Sequence, residues 1–310
     1  MRITLIHNPG AGQDEQPGTD DLMRVIRDAG HDVVAHAGDD LRGLTPATID
    51  DTCELIAVAG GDGTIGRVIK KLLDCPVPLT LIPMGTANNI ARSLGLAADT
   101  TLAQLVAGWD GADTRSIDVG VIEGPWGTEH FVEGVGVGLF TRTMLEIDAL
   151  HSLDHLTTPE EKLAEALAIM IAKLRTFSPR RLDLRLDGRD LSGDYLMLEA
   201  MNIRFVGPNL YVAPGCDPGD GLLDVVLVAE ADRANLLAHL ASWRRGQLRA
   251  PTLPTYRGAH LQIEWHGNPL HVDDEAWPPA GAREVAMPAR IDLRARKHAL
   301  QVRVPITRSS

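Results

Sequence analysis

The stretch Val58-Ala59-Gly60-Gly61-Asp62-Gly63-Thr64-Ile65, VAGGDGTI, follows the apolar run Leu55-Ile56-Ala57. Gly60, Gly61 and Gly63 surround a single carboxylate. Glycine removes Cβ atoms where backbone must approach a ligand closely or take positive φ. Successive N–H groups in such a loop make an anion nest. A helix starting near Ile65 would point its positive end at the same place. These features suit phosphate. Asp62 would repel a bare phosphate, so it makes sense chiefly with Mg²⁺ between the two. An ordinary tight turn would use the same residues, and neither a P-loop nor a dinucleotide fingerprint is present. The surrounding segments have to decide.

Working outward, Arg2 to His7 reads as a buried strand broken by Asn8-Pro9-Gly10-Ala11-Gly12. A helix is expected from Thr19 to Ala29, with Leu22, Val25 and Ile26 on one face and Gly30 as its stop. His31 to Ala37 reads as a second strand, Pro46 to Cys53 as a short helix and Leu55 to Ala59 as a third strand. Ile65 to Leu73 reads as a helix. Leu79 to Ile82 is a fourth strand ending in Pro83-Met84-Gly85-Thr86, and a helix from Ala87 to Leu94 follows. Strands alternating with helices predict a parallel sheet, which binds ligands at the carboxyl ends of its strands. The glycine-bearing breaks after strands one, three and four all fall at that edge.

Beyond Val119 the pattern becomes β-rich and predicts a sandwich-like second domain. Strands are expected at His130–Phe140, Arg181–Leu186, Tyr195–Phe205, Leu222–Ala229, Ala259–Trp265 and His271–Asp273. Helices are expected at Pro159–Phe177, opened by a Thr158 cap, and at Ala231–Trp243. Leu300 to Val304 is a last strand. The domains are therefore 1–120, joined or not by 298–310, and 121–297.

The 310 residues are 44% hydrophobic and 23% charged, as in soluble globular chains. No run of 18 apolar residues is present, and MRITLIHNPG reads as a strand rather than a signal peptide. Three scattered cysteines, Cys53, Cys75 and Cys216, suit a cytoplasmic chain with reduced thiols and no zinc site. A formal net charge of −12 argues against a nucleic-acid partner and against standing adhesion to an anionic membrane. The oligomeric state is open, a homodimer included.

LIHNPGAG, VAGGDGT, IPMGTANNIARSLG, SIDVG, FVEGVGVG, PGCDPGDGLLDVVLV and HVDDEAW together resemble the diacylglycerol kinase catalytic-domain superfamily. The likeness is greatest to its bacterial soluble lipid kinases. It implies an NAD kinase/diacylglycerol kinase-like fold: a Rossmann-like parallel α/β nucleotide-binding domain and a β-rich domain for the lipid. It implies ATP and Mg²⁺ as cofactors, a lipid hydroxyl as acceptor and transient contact with a membrane surface. Nucleotide would lie on Asn8, Pro9, Gly10, Ala11 and Gly12, on Gly60, Gly61, Asp62, Gly63 and Thr64, and against Thr86 and Asn88. Asp62 would help bind the catalytic Mg²⁺, with Asp118 nearby. Glu275 would be the general base, given partial burial to lift its pKa. Asp217, Asp220 and the Leu222 carbonyl would hold a second, structural Mg²⁺.

Plainer readings stand beside these. Asp217-Pro218-Gly219-Asp220-Gly221 is a good turn without metal. Asp118 could hydrogen-bond a strand end. Leu163, Leu167, Met170 and Leu174 read as ordinary packing or as a lipid groove. Two positions depart from the family pattern. Asn89 stands where an acid is frequent, which would weaken metal or water coordination there. Asp274 stands where glycine is usual, which restricts the backbone and adds charge beside Glu275. The alternatives are a kinase of the same fold acting on a sphingoid base or NAD, and a lipid- or nucleotide-binding protein that has lost catalysis.

Overall fold

The computed structural model describes residues 1–8, 16–36, 41–96, 100–153, 155–156, 158–207, 209–247 and 249–305. Two compact units divide the chain: Met1–Val119 with Lys297–Ser310, and Gly120–Arg296.

In the first unit β1 (Arg2–His7), α1 (Thr19–Asp28), β2 (Asp32–His36), β3 (Leu55–Gly60), α2 (Asp62–Lys71), β4 (Leu79–Pro83), α3 (Asn89–Ser93) and α4 (Leu102–Ala107) follow in order. β5 (Asp113–Gly124) runs on into the second unit. The sheet order is β2-β1-β3-β4, all parallel. The closing stretch of the chain adds a parallel neighbour through Val302 opposite Leu79. All six residues of β3 are buried, as a central strand covered on both faces requires. Helix α1 carries Asp20 and Asp21 in its first turn and Arg27 in its last, matching the helix dipole, and buries Leu22 and Ile26. Helix α4 was not expected. Its Thr101–Gln104 capping box is a clear start signal, but the helix is only six residues long. The helix expected over Pro46–Cys53 is a single 3₁₀ turn, Pro46–Thr48.

The second unit contains β6 (Gly127–Phe131), β7 (Gly134–Gly138), α5 (Leu139–Leu150), α6 (Pro159–Leu174), β8 (Arg180–Leu186), β9 (Arg189–Asp190), β10 (Gly193–Met201), β11 (Phe205–Val206) and β12 (Leu210–Tyr211). β13 (Leu223–Ala229), α7 (Arg233–Arg244), β14 (Thr255–Gly258), β15 (His260–Trp265), β16 (Leu270–Val272), β17 (Glu275–Trp277) and β18 (Ala289–Val304) follow, β18 ending in the first unit. Strand β10 is the hub and pairs with β7, β8 and β13. Both faces of this sheet are buried. Leu198 and Ala200 face a sandwich core with Leu184, Leu261 and Ile291. Met197 and Met201 face the helices, among Phe140, Leu167, Met170 and Leu240.

The strand expected over His130–Phe140 is two strands and a helix start. Gly134 to Gly138 is β7, and Leu139 opens α5. Gly138 has φ 103°, which an L side chain rarely adopts, and there the chain leaves the sheet. Leu167, Met170 and Leu174 of α6 are buried in the helix–sheet core, with Leu163 partly buried against it. This is the packing reading of that face.

Candidate active site

Pairing of His7 with Ala59 and of Gly60 with Pro83 brings the ends of β1, β3 and β4 to one edge. The chain turns from β1 toward β2 and from β3 toward β4, so the strand order reverses between β1 and β3. Crevices at such switch points are where parallel sheets bind ligands. Asn8 follows β1 there. Pro9, Gly10, Ala11 and Gly12 lie outside the described residues.

Helix α2 starts at Asp62, three residues before the expected Ile65, with Gly61 as its N-cap. Asp62, Gly63 and Thr64 therefore form its first turn, in which the Thr64 amide donates to the Gly61 carbonyl at 3.0 Å. The glycines serve close approach and not positive φ. Gly61 has φ −85°, and a Cβ on Gly85 would lie 2.5 Å from the Gly61 Cα. The GGDGT and PMGT loops thus meet backbone to backbone. A Cβ on Gly60 would lie 2.7 Å from the Thr64 Cβ, so the Thr64 side chain is packed beneath the loop, 2% exposed.

Asp62 ties the loops together a second way. Its Oδ1 accepts the Ile90 amide at 3.0 Å, capping α3. Asn88 sits in the left-handed region at φ 52°, and its side chain closes the turn on itself. Its Oδ1 accepts the Gly85 amide and its Nδ2 donates to the Gly85 carbonyl, both at 2.8 Å. Thr86 is exposed at the tip. The Met84 amide donates to the Gly60 carbonyl at 2.9 Å, and Gln16 donates to the Met84 carbonyl. Gln16, and the contact of Gly85 with Gly61, were not foreseen, because contacts between loops leave no spacing signal. Asn89 is only 1% exposed. A charged acid at that depth would carry a desolvation cost that the amide escapes.

In the second unit β16 and β17 form a hairpin with Val272 opposite Glu275 and Asp273-Asp274 as its turn. The left-handed residue is Asp273, at φ 54°, a conformation aspartate tolerates. Asp274 does not adopt it, so the replaced glycine strains no backbone there. The Asp273 carboxylate accepts the Val132 amide at 3.0 Å and the Glu133 amide at 2.8 Å. Asn202 donates to the Val132 carbonyl at 3.0 Å. Glu275 is exposed. The partial burial asked of a base is not supplied by its own unit.

Among the described residues no group of three or more His, Cys, Asp or Glu is placed to hold a metal ion. A Mg²⁺ carried on phosphate needs only one or two carboxylates, with phosphate oxygens and water completing the octahedron. Half-buried Asp62, at a helix start, fits that demand. Asp118 is 1% exposed, and its Oδ1 accepts the amide of His298, inside β18, at 2.8 Å. The Asp217–Leu222 turn does not fit a dedicated cage. Asp217 accepts the Gly219 amide at 3.1 Å and Asp220 the Leu222 amide at 2.9 Å. The other Asp220 oxygen is held by Arg257, whose Nε lies 3.6 Å from buried Asp224. Burial pushes the Asp224 carboxyl up, against the opposing pull of Arg257. A guanidinium already supplies the cation at this turn.

Residues 2–122 match the family model described as diacylglycerol kinase catalytic domain. Residues 147–295 match the one described as YegS C-terminal NAD kinase beta sandwich-like domain. A diacylglycerol kinase of Mycobacterium tuberculosis is 27% identical over 306 residues, covering 96% of each chain. A diacylglycerol kinase of Bacillus subtilis is 27% identical over 253 residues, covering 79% of this chain and 80% of its own. A solved structure of a diacylglycerol kinase from Bacillus anthracis shares the fold, with a TM-score of 0.65 at 18% identity. It covers 99% of this chain and 98% of its own. With one match over the glycine loops and another over the second unit, the chain carries a diacylglycerol kinase catalytic domain and a YegS-type C-terminal NAD kinase beta sandwich-like domain, and is a phosphotransferase with an alcohol group as acceptor.

Proposed function

We propose that the protein is an ATP- and Mg²⁺-dependent lipid kinase whose acceptor is diacylglycerol or a closely related lipid alcohol. The observation that carries this is the paired-loop platform at the β1/β3 switch point. Asp62 heads α2 and caps α3, and Gly61 and Gly85 are in backbone contact. Such a platform offers helix-start amides to phosphate and one carboxylate to a cation. The names of the relatives supply the lipid.

In this reading Asn8, Gly60 to Thr64 and Thr86 hold the nucleotide. Asn88 acts by shaping the loop. Asp62 holds the metal. When bound, Mg²⁺ supplies charge neutralisation on the β- and γ-phosphates. Glu275 orients the lipid hydroxyl and takes its proton. The hydroxyl oxygen bonds to the γ-phosphorus, the bridging P–O bond breaks, and ADP leaves with those electrons. No helix among the described residues is long and apolar enough to cross a membrane, and lipid is reached by transient contact with the bilayer surface.

The test is phosphotransfer from labelled ATP with Mg²⁺ to a panel of lipids in mixed micelles, with Asp62→Asn as control. Labelled diacylglycerol made by the parent and not by the variant is expected. Unlabelled lipids with ATP still bound would turn the search to a soluble alcohol, NAD first, or to a binding protein. A Glu275→Gln variant with parental turnover would remove the assignment of the base.

A further inference from the structure

Strand β7 reads Gly134-Val135-Gly136-Val137-Gly138, with valines toward the sandwich core and glycines toward the helices. Gly136 lies opposite His271 of β16 on one side and Glu199 of β10 on the other. A Cβ there would overlap Glu199 Oε2 and His271 Nε2. Only a residue without a side chain lets these two reach each other across the strand. They meet at 2.9 Å, both 0% exposed. The His271 and Phe140 rings also meet in a T-shaped contact, with centroids 4.9 Å apart.

The other ring nitrogen points at the Asp273–Glu275 hairpin turn. His271 Nδ1 lies 2.8 Å from the Asp273 carbonyl oxygen. A carbonyl only accepts, so Nδ1 carries the hydrogen. Glu199 Oε2 and His271 Nε2 then share one further proton, and the pair is neutral as a whole. Burial acts to lower the His271 pKa, but the charge and hydrogen bond of Glu199, together with the backbone hydrogen bond and charge of Asp273, raise it overall. Burial raises Glu199, against the pull of His271. Glu199 Oε1 is buried and has no hydrogen-bond partner among the described residues. Stability does not account for such a pair, since apolar residues of similar size are often as stable or more so.

We propose that Glu199 and His271 are positioning residues that fix the Asp273–Glu275 turn from below. Glu199 sets the ring of His271, and His271 holds the turn's carbonyl. The catalytic consequence rests on the reading of Glu275 as the base. The hold on the turn does not.

The experiment compares the parent with Glu199→Leu/His271→Phe, which removes both polar partners together and leaves no unpaired buried charge, and with Glu199→Gln. Folding is checked by Tm, and hydrogen exchange is followed in peptides spanning 270–277. The double variant is expected to fold with faster exchange in that segment. Its kcat should fall about 10- to 100-fold, as misplacement of a reacting group does, at unchanged KM for ATP. Glu199→Gln, whose amide can donate to His271 Nε2, should stay near the parent. In a Glu275→Gln background the double substitution should cost nothing further. Parental exchange in a folded double variant overturns the proposal. So does a kcat loss of equal size in both backgrounds. Parental activity of Glu275→Gln alone would sink the base assignment, and exchange by itself would then judge the hold on the turn.

Discussion

Glycine serves opposite ends in the two units. At Gly61 and Gly85 the missing side chains let backbone touch backbone, and the object positioned is a loop. At Gly136 the missing side chain makes room for the side chains of neighbouring strands, and the object positioned is a buried polar pair. A backbone contact cannot be repacked. A side-chain contact can, at some cost. The first unit therefore holds its loops by backbone shape with one carboxylate, Asp62, tying them, whereas the second holds its turns by carboxylates throughout: Asp273 on two amides, Glu199 on His271, Asp220 on Arg257.

Gly85→Ala should break the comparison most forcefully. Its Cβ would sit 2.5 Å from the Gly61 Cα, where nothing can rotate away. A loss of about 2–3 kcal/mol in unfolding free energy is expected from overpacking, with ATP binding abolished. Gly61→Ala, whose Cβ meets the Gly85 Cα at 3.1 Å, should cost less. Thermal denaturation and nucleotide titration of both variants check the ranking, and equal costs would refute it.

Gly136→Ala comes next, at about 1–2 kcal/mol. Here the obstructing atoms belong to side chains, so trimming one should help. Glu199→Ala should recover part of the stability lost by Gly136→Ala, measured by urea denaturation. No partner trimming of that kind exists for Gly85→Ala.

Arg257→Met should cost about 1 kcal/mol by leaving Asp220 and Asp224 without the guanidinium. With Arg257 in place, chelating Mg²⁺ should leave the Tm of the nucleotide-free protein unchanged. In the variant, added Mg²⁺ should raise it. A Tm drop of the parent on chelation would restore the structural metal at the Asp217–Leu222 turn.

The smallest effect concerns acid. Hydrogen bonds from Arg290 first, then from His260 and Gln262, hold the Asp292 carboxyl well below the usual carboxylate range. A depressed carboxyl stabilises the fold above its unfolded pKa, and the contribution is lost as pH falls through that value toward the folded one. The Tm of the parent should therefore fall more steeply than that of Asp292→Asn between about pH 5 and pH 2. Parallel profiles would remove Asp292 from the account.

Asp62 and Glu275 stood out as candidates, Asp62 by its glycine loop after a strand and Glu275 by the family resemblance, and the structure places them at a helix start and beside a hairpin turn. Their supports did not stand out. Gln16 reaches Met84 from 68 residues away, and Arg257 reaches Asp220 from 37. No local pattern encodes either. The misread strand over His130–Phe140 has the same origin. Alternating glycine and valine fits a strand well, but nothing in the one-dimensional pattern says that Gly138 turns out of the sheet and that Leu139 opens a helix.

By itself the sequence determined the alternation of strand and helix up to Val119, the β-rich remainder, and the placing of glycine-bearing loops at one sheet edge. Hydrophobic periodicity and turn chemistry are local and survive without coordinates. The tertiary structure alone decided what each glycine makes room for, which carboxylates are already engaged, and which partner holds the Glu275 turn. Those depend on strands β7, β10 and β16 lying side by side, and adjacency across a sheet is set by the whole fold, not by any segment of it.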